Sequence, residues 1–479
     1  MDNEFNYGTF STDSALERLL LRYENSKRPI SVDFRRLVHC VTTADRATHL
    51  LHPYPAKLLM HIPFFFLANR LFSDPGDVIL DPFCGSGTVL LESQLAGRIS
   101  IGADSNPLAR LIATVKTTPI EEAPLRRAIQ SLLSRIPDAP RRGPPDVVNL
   151  QKWFYPHVVL QLQRILEAIR STRNKTLRDF FLISFSKCVR KVSLADPRLS
   201  VPVRLQMDQY PKGHPLREKT NEHIRRLRQV NVCSVFEDVL HANCRRMITL
   251  SAGMGCLPPA TIVGTDARRL DAASDEHQIG RPTVAPNSVR LVITSPPYPG
   301  AQKYIRSVSL SLGWLGMCGS NELLHFKRLT IGREEYCTAE CENLTPSGVP
   351  PADRFLSDLH KINPWRATVA GTYLVEMHEA LAEIYRVLAP GGHLVLVAAN
   401  NNLCGRVFKT QDYLRRIAEG IGFTLVLRLV DDIRSRGLMT KRNKTASIIT
   451  REWVLVFRKE RETNGRRARR PDQKDKSTK

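Results

Sequence analysis

The tetrapeptide Ser295-Pro296-Pro297-Tyr298 gathers groups suited to one task. Two consecutive prolines fix φ and remove two N–H donors, leaving a rigid loop with outward-facing carbonyls. The Ser295 hydroxyl and the Pro296 carbonyl are acceptors, and Tyr298 adds a flat aromatic face. Such a set can hold both hydrogens of an amino group on a planar base. It can also bias the nitrogen lone pair out of ring conjugation while the tyrosine stacks on the ring. Read alone, the same residues are also an ordinary Pro-Pro turn. A second segment, DPFCGSGT from Asp81 to Thr88, is glycine-rich. Glycines let backbone approach a ligand closely, and the N-terminus of a following helix attracts negative charge. The spacing is GxG without GxGxxG or GK[ST], so it is neither a dinucleotide fingerprint nor a P-loop. Asp104 is suited to a bidentate hydrogen bond with ribose hydroxyls.

These segments sit at element boundaries. Residues 77–80 (DVIL) are a mainly apolar run that reads as a strand, with the glycine turn after them and VLLESQLAG as a helix ending at Gly97. ISIGAD is a second strand ending at Asp104, and Asn106-Pro107 opens the helix LARLIATVKT. ATIVGTD is a strand ending at Asp266, and SVRLVIT a strand ending at Thr294. Residues 371–388 read as a long helix stopped by APGG, followed by the strand HLVLVAAN. The helix QDYLRRIAEGIG and the strands FTLVLRLV and REWVLVFRK complete the chain, the last two able to pair antiparallel. Chemistry-bearing residues at strand C-termini, in β-α-β-α order, predict an α/β fold with an open, mostly parallel sheet. Residues 121–260 interrupt the alternation with helical stretches such as VVLQLQRILEAIRS and RDFFLISFSKCVRKVS, separated by proline-rich segments. Residues 1–30 read as an extension, in which STDSALERLLLRYEN is a candidate helix.

Together, DPFCGSGT and TSPPY resemble the cofactor and catalytic loops of the DNA amino-methyltransferases, which make N4-methylcytosine or N6-methyladenine. The likeness runs from about residue 30 to 459. It implies a Rossmann-like methyltransferase sheet over 31–120 and 261–459, with an antiparallel last strand and a mainly helical insert at 121–260. It also implies S-adenosyl-L-methionine as cofactor, bound by Asp81, Phe83, Gly85, Gly87 and Thr88 of the loop. Tyr54, in HPYPAK (His52 to Lys57), would help close the methionine end. Asp104 would hold the ribose and Asp266 the adenine amino group, although Asp266 also reads as a helix cap. Ser295, Pro296, Pro297 and Tyr298 would be catalytic, in direct in-line transfer that needs no cysteine nucleophile and leaves Cys84 dispensable. Reaching a base in duplex DNA requires extruding it from the stack.

Serine at the first position of the catalytic loop favours cytosine N4 over adenine N6 in this family. An RNA base amino-methyltransferase and a catalytically silent DNA-binding subunit are the alternative readings. Lys303, Tyr304 and Arg306, just past the catalytic loop, and Asn400, Asn401 and Asn402 are candidates for base or phosphate contact. So are the basic loop residues Arg434, Arg436, Lys441 and Arg442, and Trp153, Phe154, Arg190, Lys191, Arg225, Arg226 and Arg228 of the insert. Each reads equally as plain structure.

Charge points the same way. The 479 residues carry a net +23, of which +12 falls in 121–260 and +5 in 459–479. A basic insert on a nearly balanced body suits a polyanion such as double-stranded DNA, with counterion release adding affinity. The charged tail after about residue 459 reads as disordered. Ten scattered cysteines form no CxxC pair, so Cys337 and Cys341 read as free thiols and no metal is expected. No apolar run approaches a membrane span and the first residues do not resemble a signal peptide, so a cytoplasmic enzyme is expected. A companion restriction endonuclease or defence system would be its natural partner.

Overall fold

The computed structural model describes residues 7, 10–43, 45–55, 57–252, 257–270, 283–300, 304–433 and 450–461. Ten strands occur among them: β1 (Ile30–Val32), β2 (Val78–Asp81), β3 (Ile99–Ala103), β4 (Ala260–Gly264), β5 (Val289–Thr294), β6 (Leu388–Ala398), β7 (Asn401–Leu403), β8 (Arg406–Phe408), β9 (Phe423–Asp432) and β10 (Arg451–Lys459). Eight form one sheet in the order β1-β9-β10-β6-β5-β2-β3-β4, and β7 and β8 form a separate hairpin. Every pairing in the large sheet is parallel except those of β10, which runs antiparallel to both β6 and β9. The architecture is the expected Rossmann-like one. From β2 the chain moves outward to β3 and β4, then returns to place β5 on the other side of β2. Open sheets take their ligands at the C-terminal ends of strands flanking such a reversal.

Strict alternation along the central strands builds two cores. Ile79, Leu291, Ile293, Val395, Val397, Val454 and Val456 point to one face, where they meet the phenylalanine-rich helix His61–Leu67. Leu80, Val292, Leu394, Leu396, Leu455 and Phe457 point to the other and bury the helix Pro364–Val387. Side chains on successive strand residues face opposite ways, so one run supplies both faces. The long helix begins at Pro364, seven residues before the expected start, with Asn363 accepting from the Arg366 amide. Nor does APGG act as a spacer after the helix. Val289 pairs with Leu388 and Leu291 with His393, so residues 389–392 form a bulge inside β6. Gly391 takes a φ of 77° there, a conformation that glycine adopts without strain.

The N-terminal extension forms the helix Asp13–Ser26. It then contributes β1, paired in parallel with β9, a strand too short for periodicity to reveal. The insert folds as the helices Glu122–Arg135, Pro156–Arg170, Lys175–Lys191, Pro215–Arg228 and Val232–Ala252. Most of its apolar residues share one cluster with the helix Pro107–Thr117 and with residues 305–318, downstream of Ser295–Tyr298, while Leu194, Leu205, Ile224 and Leu227 form a small cluster of their own. This layer is continuous with the body of the fold. Residues 462–479, expected to be a disordered basic tail, lie outside the described residues. Among the described residues, no helix is long and apolar enough to cross a membrane.

Candidate active site

Two loops meet where β2 and β5 end side by side. Asp81, the last residue of β2, is buried, and its Oδ1 accepts from the Thr294 hydroxyl at 2.7 Å and the Phe83 amide at 3.1 Å. One carboxylate therefore ties the start of the glycine turn to the residue before Ser295. Burial pushes the Asp81 carboxyl up to about 7, against the two hydrogen bonds that pull it down and with Asp104 adding to the rise. An unfolded aspartate titrates near pH 4, so the fold binds this proton more tightly than the open chain. The contribution of Asp81 to stability is thus complete below about pH 4 and is lost as pH rises through about 7. Asp81→Asn keeps an acceptor for both donors, and thermal melts of this variant should show a flatter pH dependence between 4 and 7. An unchanged slope would assign the titration to another group.

The turn after Asp81 is shaped by its glycines. Gly85 has a φ of 49° and Gly87 of 73°, and a Cβ on Gly87 would lie 2.9 Å from that of Ala113. Gly87 thus lets the helix Thr88–Leu95 close against the helix Pro107–Thr117. The Gly85 amide donates to Asp104 Oδ2 at 2.9 Å, and the Asn106 amide to Asp104 Oδ1 at 2.8 Å. Burial raises the Asp104 carboxyl above the usual range despite these bonds. Asn106 caps its helix through Leu108 and donates to the Tyr54 hydroxyl at 3.2 Å, which places that ring over the turn.

Between the loops lies an open cavity with about 670 Å³ of empty space. Tyr54, Phe83, Gly85, Asp104 and Asp266 line it, and so do Ser295 and Pro297. Residues of the two loops singled out from sequence therefore share one wall. Asp266 arrives already engaged. Its carboxylate is forked by Arg268, which donates from Nη2 at 2.8 Å and from Nε at 2.9 Å, and the Arg268 amide adds a third bond. Asp81, Gly87 and Thr88 are not in the lining; they build the turn from behind. Cys84 is buried against Leu90 and Ala113, with burial driving its thiol pKa upward.

Tyr298 is also outside this lining. Its hydroxyl turns toward β10 and donates to Glu452 Oε1 at 3.4 Å. Tyr304, expected at a DNA contact, is instead part of the cavity wall, whereas Arg306 is exposed. Asn400 and Asn401 accept from the Gln411 amide and the Thr410 hydroxyl at the start of the helix Thr410–Ile421, the structural one of their two readings. In the insert, Phe154 is buried edge-on to Trp314 and Arg190 binds the Asp196 and Leu199 carbonyls, so these two hold structure. Trp153 is partly buried against the same cluster. Lys191, Arg225, Arg226 and Arg228 are exposed. Lys303, Arg434, Arg436, Lys441 and Arg442 lie outside the described residues. The segment Leu329–Ile331 completes the wall and carries no sequence signal, since three apolar or hydroxyl residues in a loop resemble any other.

The lining fits a nucleoside-bearing cofactor: a carboxylate at a strand end for a diol, aromatic and apolar walls, and a glycine turn permitting close backbone contact.

The family described as DNA methylase matches residues 67–114, which span β2, the glycine turn and Asp104. A type II methyltransferase of Kocuria varians is 34% identical over 162 residues, covering 32% of this chain and 36% of that protein. Another, of Methanocaldococcus jannaschii, is 27% identical over 176 residues, covering 34% and 33%. The chain thus spans about a third of the length of these two relatives. A third, of Geobacillus stearothermophilus, is 21% identical over 439 residues, covering 80% of each chain. S-adenosyl-L-methionine is the cofactor that the matched family and the lining support.

Proposed function

We propose that the chain is a DNA amino-methyltransferase, as the family match over residues 67–114 and the partial likeness to type II methyltransferases support, and that it methylates the exocyclic N4 of cytosine at a specific site in duplex DNA. The observation that carries this reading is the 2.7 Å hydrogen bond from Thr294 to Asp81, which holds Ser295 and the Gly85 turn on one cavity. Serine at position 295 supports cytosine N4 over adenine N6.

S-adenosyl-L-methionine, when bound, supplies an electrophilic methyl group on a sulfonium centre. The protein supplies position and electrostatics. Asp104 would bind the ribose hydroxyls, the Gly85 turn would line the cofactor, and Asp266, steadied by Arg268, would face the purine. Ser295 Oγ and the Pro296 carbonyl would accept the two amino hydrogens and turn the lone pair toward the methyl donor. The two prolines hold those acceptors still, since neither residue can rotate about φ. Ile305, Leu329 and Ile331 add apolar surface to the wall. Transfer would break the bond between sulfur and the methyl carbon as the bond from nitrogen to that carbon forms, leaving the electron pair on a neutral thioether, while the amino proton leaves toward Ser295 and solvent. A companion nuclease or defence system is part of the proposal, and the exposed insert arginines suit the phosphate backbone.

Single-molecule sequencing of DNA from cells expressing the protein tests this directly. The expected result is N4-methylcytosine within one short sequence context. N6-methyladenine instead would overturn the choice of base, and a mark in RNA alone would overturn the choice of substrate.

A further inference from the structure

Tyr298 is held by a residue far from it in the chain. Glu452 is the second residue of β10, at the sheet edge where β5 ends, and its Oε1 lies 3.4 Å from the Tyr298 hydroxyl. Across the β9–β10 ladder Glu452 stands directly opposite Asp431. Asp431 is buried, with Arg35 Nη1 at 3.8 Å from its Oδ2. Arg35 follows β1, whose Val32 pairs with Asp431. The extra edge strand thus brings a cation to a pair of carboxylates beside the catalytic loop. Two carboxylates in cross-strand register are unfavourable on a sheet unless something holds them there. Here the arginine faces one and the tyrosine hydroxyl the other.

The consequence concerns the tyrosine ring. Ser295 and Pro297 face the cofactor cavity, while Tyr298 faces the end of the β9–β10 ribbon. A ring on a loop keeps two rotatable bonds, and a hydrogen bond at its tip restricts both. We propose that Glu452 is a positioning residue for methyl transfer, holding the Tyr298 hydroxyl so that the ring presents a fixed face to the acceptor base. The inference rests on the amino-methyltransferase reading of the site. The acceptor base would then lie against the Tyr298 ring with its amino group at Ser295, which lines the cofactor cavity.

The test uses the full chain with two duplexes, one carrying its intact methylation site for turnover and one with 2-aminopurine at the target position for base flipping. Glu452→Ala, Glu452→Gln, Tyr298→Phe and the Glu452→Ala/Tyr298→Phe pair are compared. Loss of one hydrogen bond between these groups is worth about tenfold in turnover. Glu452→Ala and Tyr298→Phe should each lower kcat by roughly that factor, with cofactor affinity unchanged. Glutamine keeps an acceptor and should restore kcat to within about threefold of wild type. The double variant should be no slower than either single, because both remove the same contact. Flipping, read by 2-aminopurine fluorescence, should persist while its signal changes as the ring loosens. Additive losses in the double variant, or full activity in Glu452→Ala, overturn the inference. Where alanine prevents folding, Glu452→Leu, which fills the same space without an acceptor, takes its place in the cycle, and additivity there has the same meaning. A wild-type chain that methylates no amino group in DNA overturns the functional reading itself, a result distinct from any outcome among the variants.

Discussion

Asp104→Ala is expected to weaken S-adenosylmethionine binding by about a hundredfold, measured by titration calorimetry on the folded variant. Two losses combine. The side chain would give up its hydrogen bonds to the ribose, and charge-assisted bonds are worth about 1.5–3 kcal/mol each. It would also release the Gly85 and Asn106 amides, both of which donate to it, beside the ligand. Unsatisfied donors cost about 1–3 kcal/mol where water cannot replace the partner, but the cavity is open and solvent recovers part of that penalty. Asparagine should not rescue fully. Its single oxygen can face one of the two amides, which leaves an NH2 group against the other. Affinity within threefold of wild type in the alanine variant would remove Asp104 from the cofactor site.

Tyr298→Ala should do the reverse: lose turnover and keep the cofactor. Stacking of a base on an aromatic ring is worth about 1–3 kcal/mol, so a fall in kcat/KM for DNA of about a hundredfold is expected. Cofactor affinity should stay near wild type, because the ring is absent from the cavity lining and points toward β10. Steady-state kinetics with saturating cofactor, set beside calorimetry, separate the two. Equal loss of turnover and cofactor affinity would refute the division of labour between the loops. The two variants form a crossed pair, since each is expected to spare what the other destroys.

The two loops were legible in the sequence because motifs of this kind are local. Strand, glycine turn and helix succeed one another within about twenty residues, and hydrophobic alternation with turn residues marks that boundary without tertiary information. Asp81, Asp104, Asp266 and Ser295 were readable as strand-end residues for the same reason. A residue at the C-terminal end of a parallel strand is already at the edge where ligands bind. The antiparallel last strand was legible too, since no long helix separates FTLVLRLV from REWVLVFRK to carry a parallel crossover.

Other assignments failed for an equally physical cause. Phe154 and Arg190 looked available for nucleic acid, but burial depends on what packs against a helix, and Trp314 comes from a segment over a hundred residues away. The Asn400–Asn402 run looked like a polar loop facing the base. Its first two side chains meet the next helix, Asn400 accepting from the Gln411 amide, one of the donors a helix start leaves without a partner, and Asn401 from the Thr410 hydroxyl. Asp81 looked like a cofactor ligand, and its contact with Thr294 shows a brace between loops.

Taken by itself, the amino-acid order determined which residue types stand at each strand end and therefore what chemistry the edge can hold. It did so because alternation and turn signals are properties of neighbours along the chain. Only the tertiary structure decided which ends stand together: that β10 wedges between β6 and β9, that Glu452 reaches Tyr298, and that β1 brings Arg35 to Asp431. Those juxtapositions arise from strand order and from burial shared across hundreds of residues, and a contact of that kind leaves no periodicity behind.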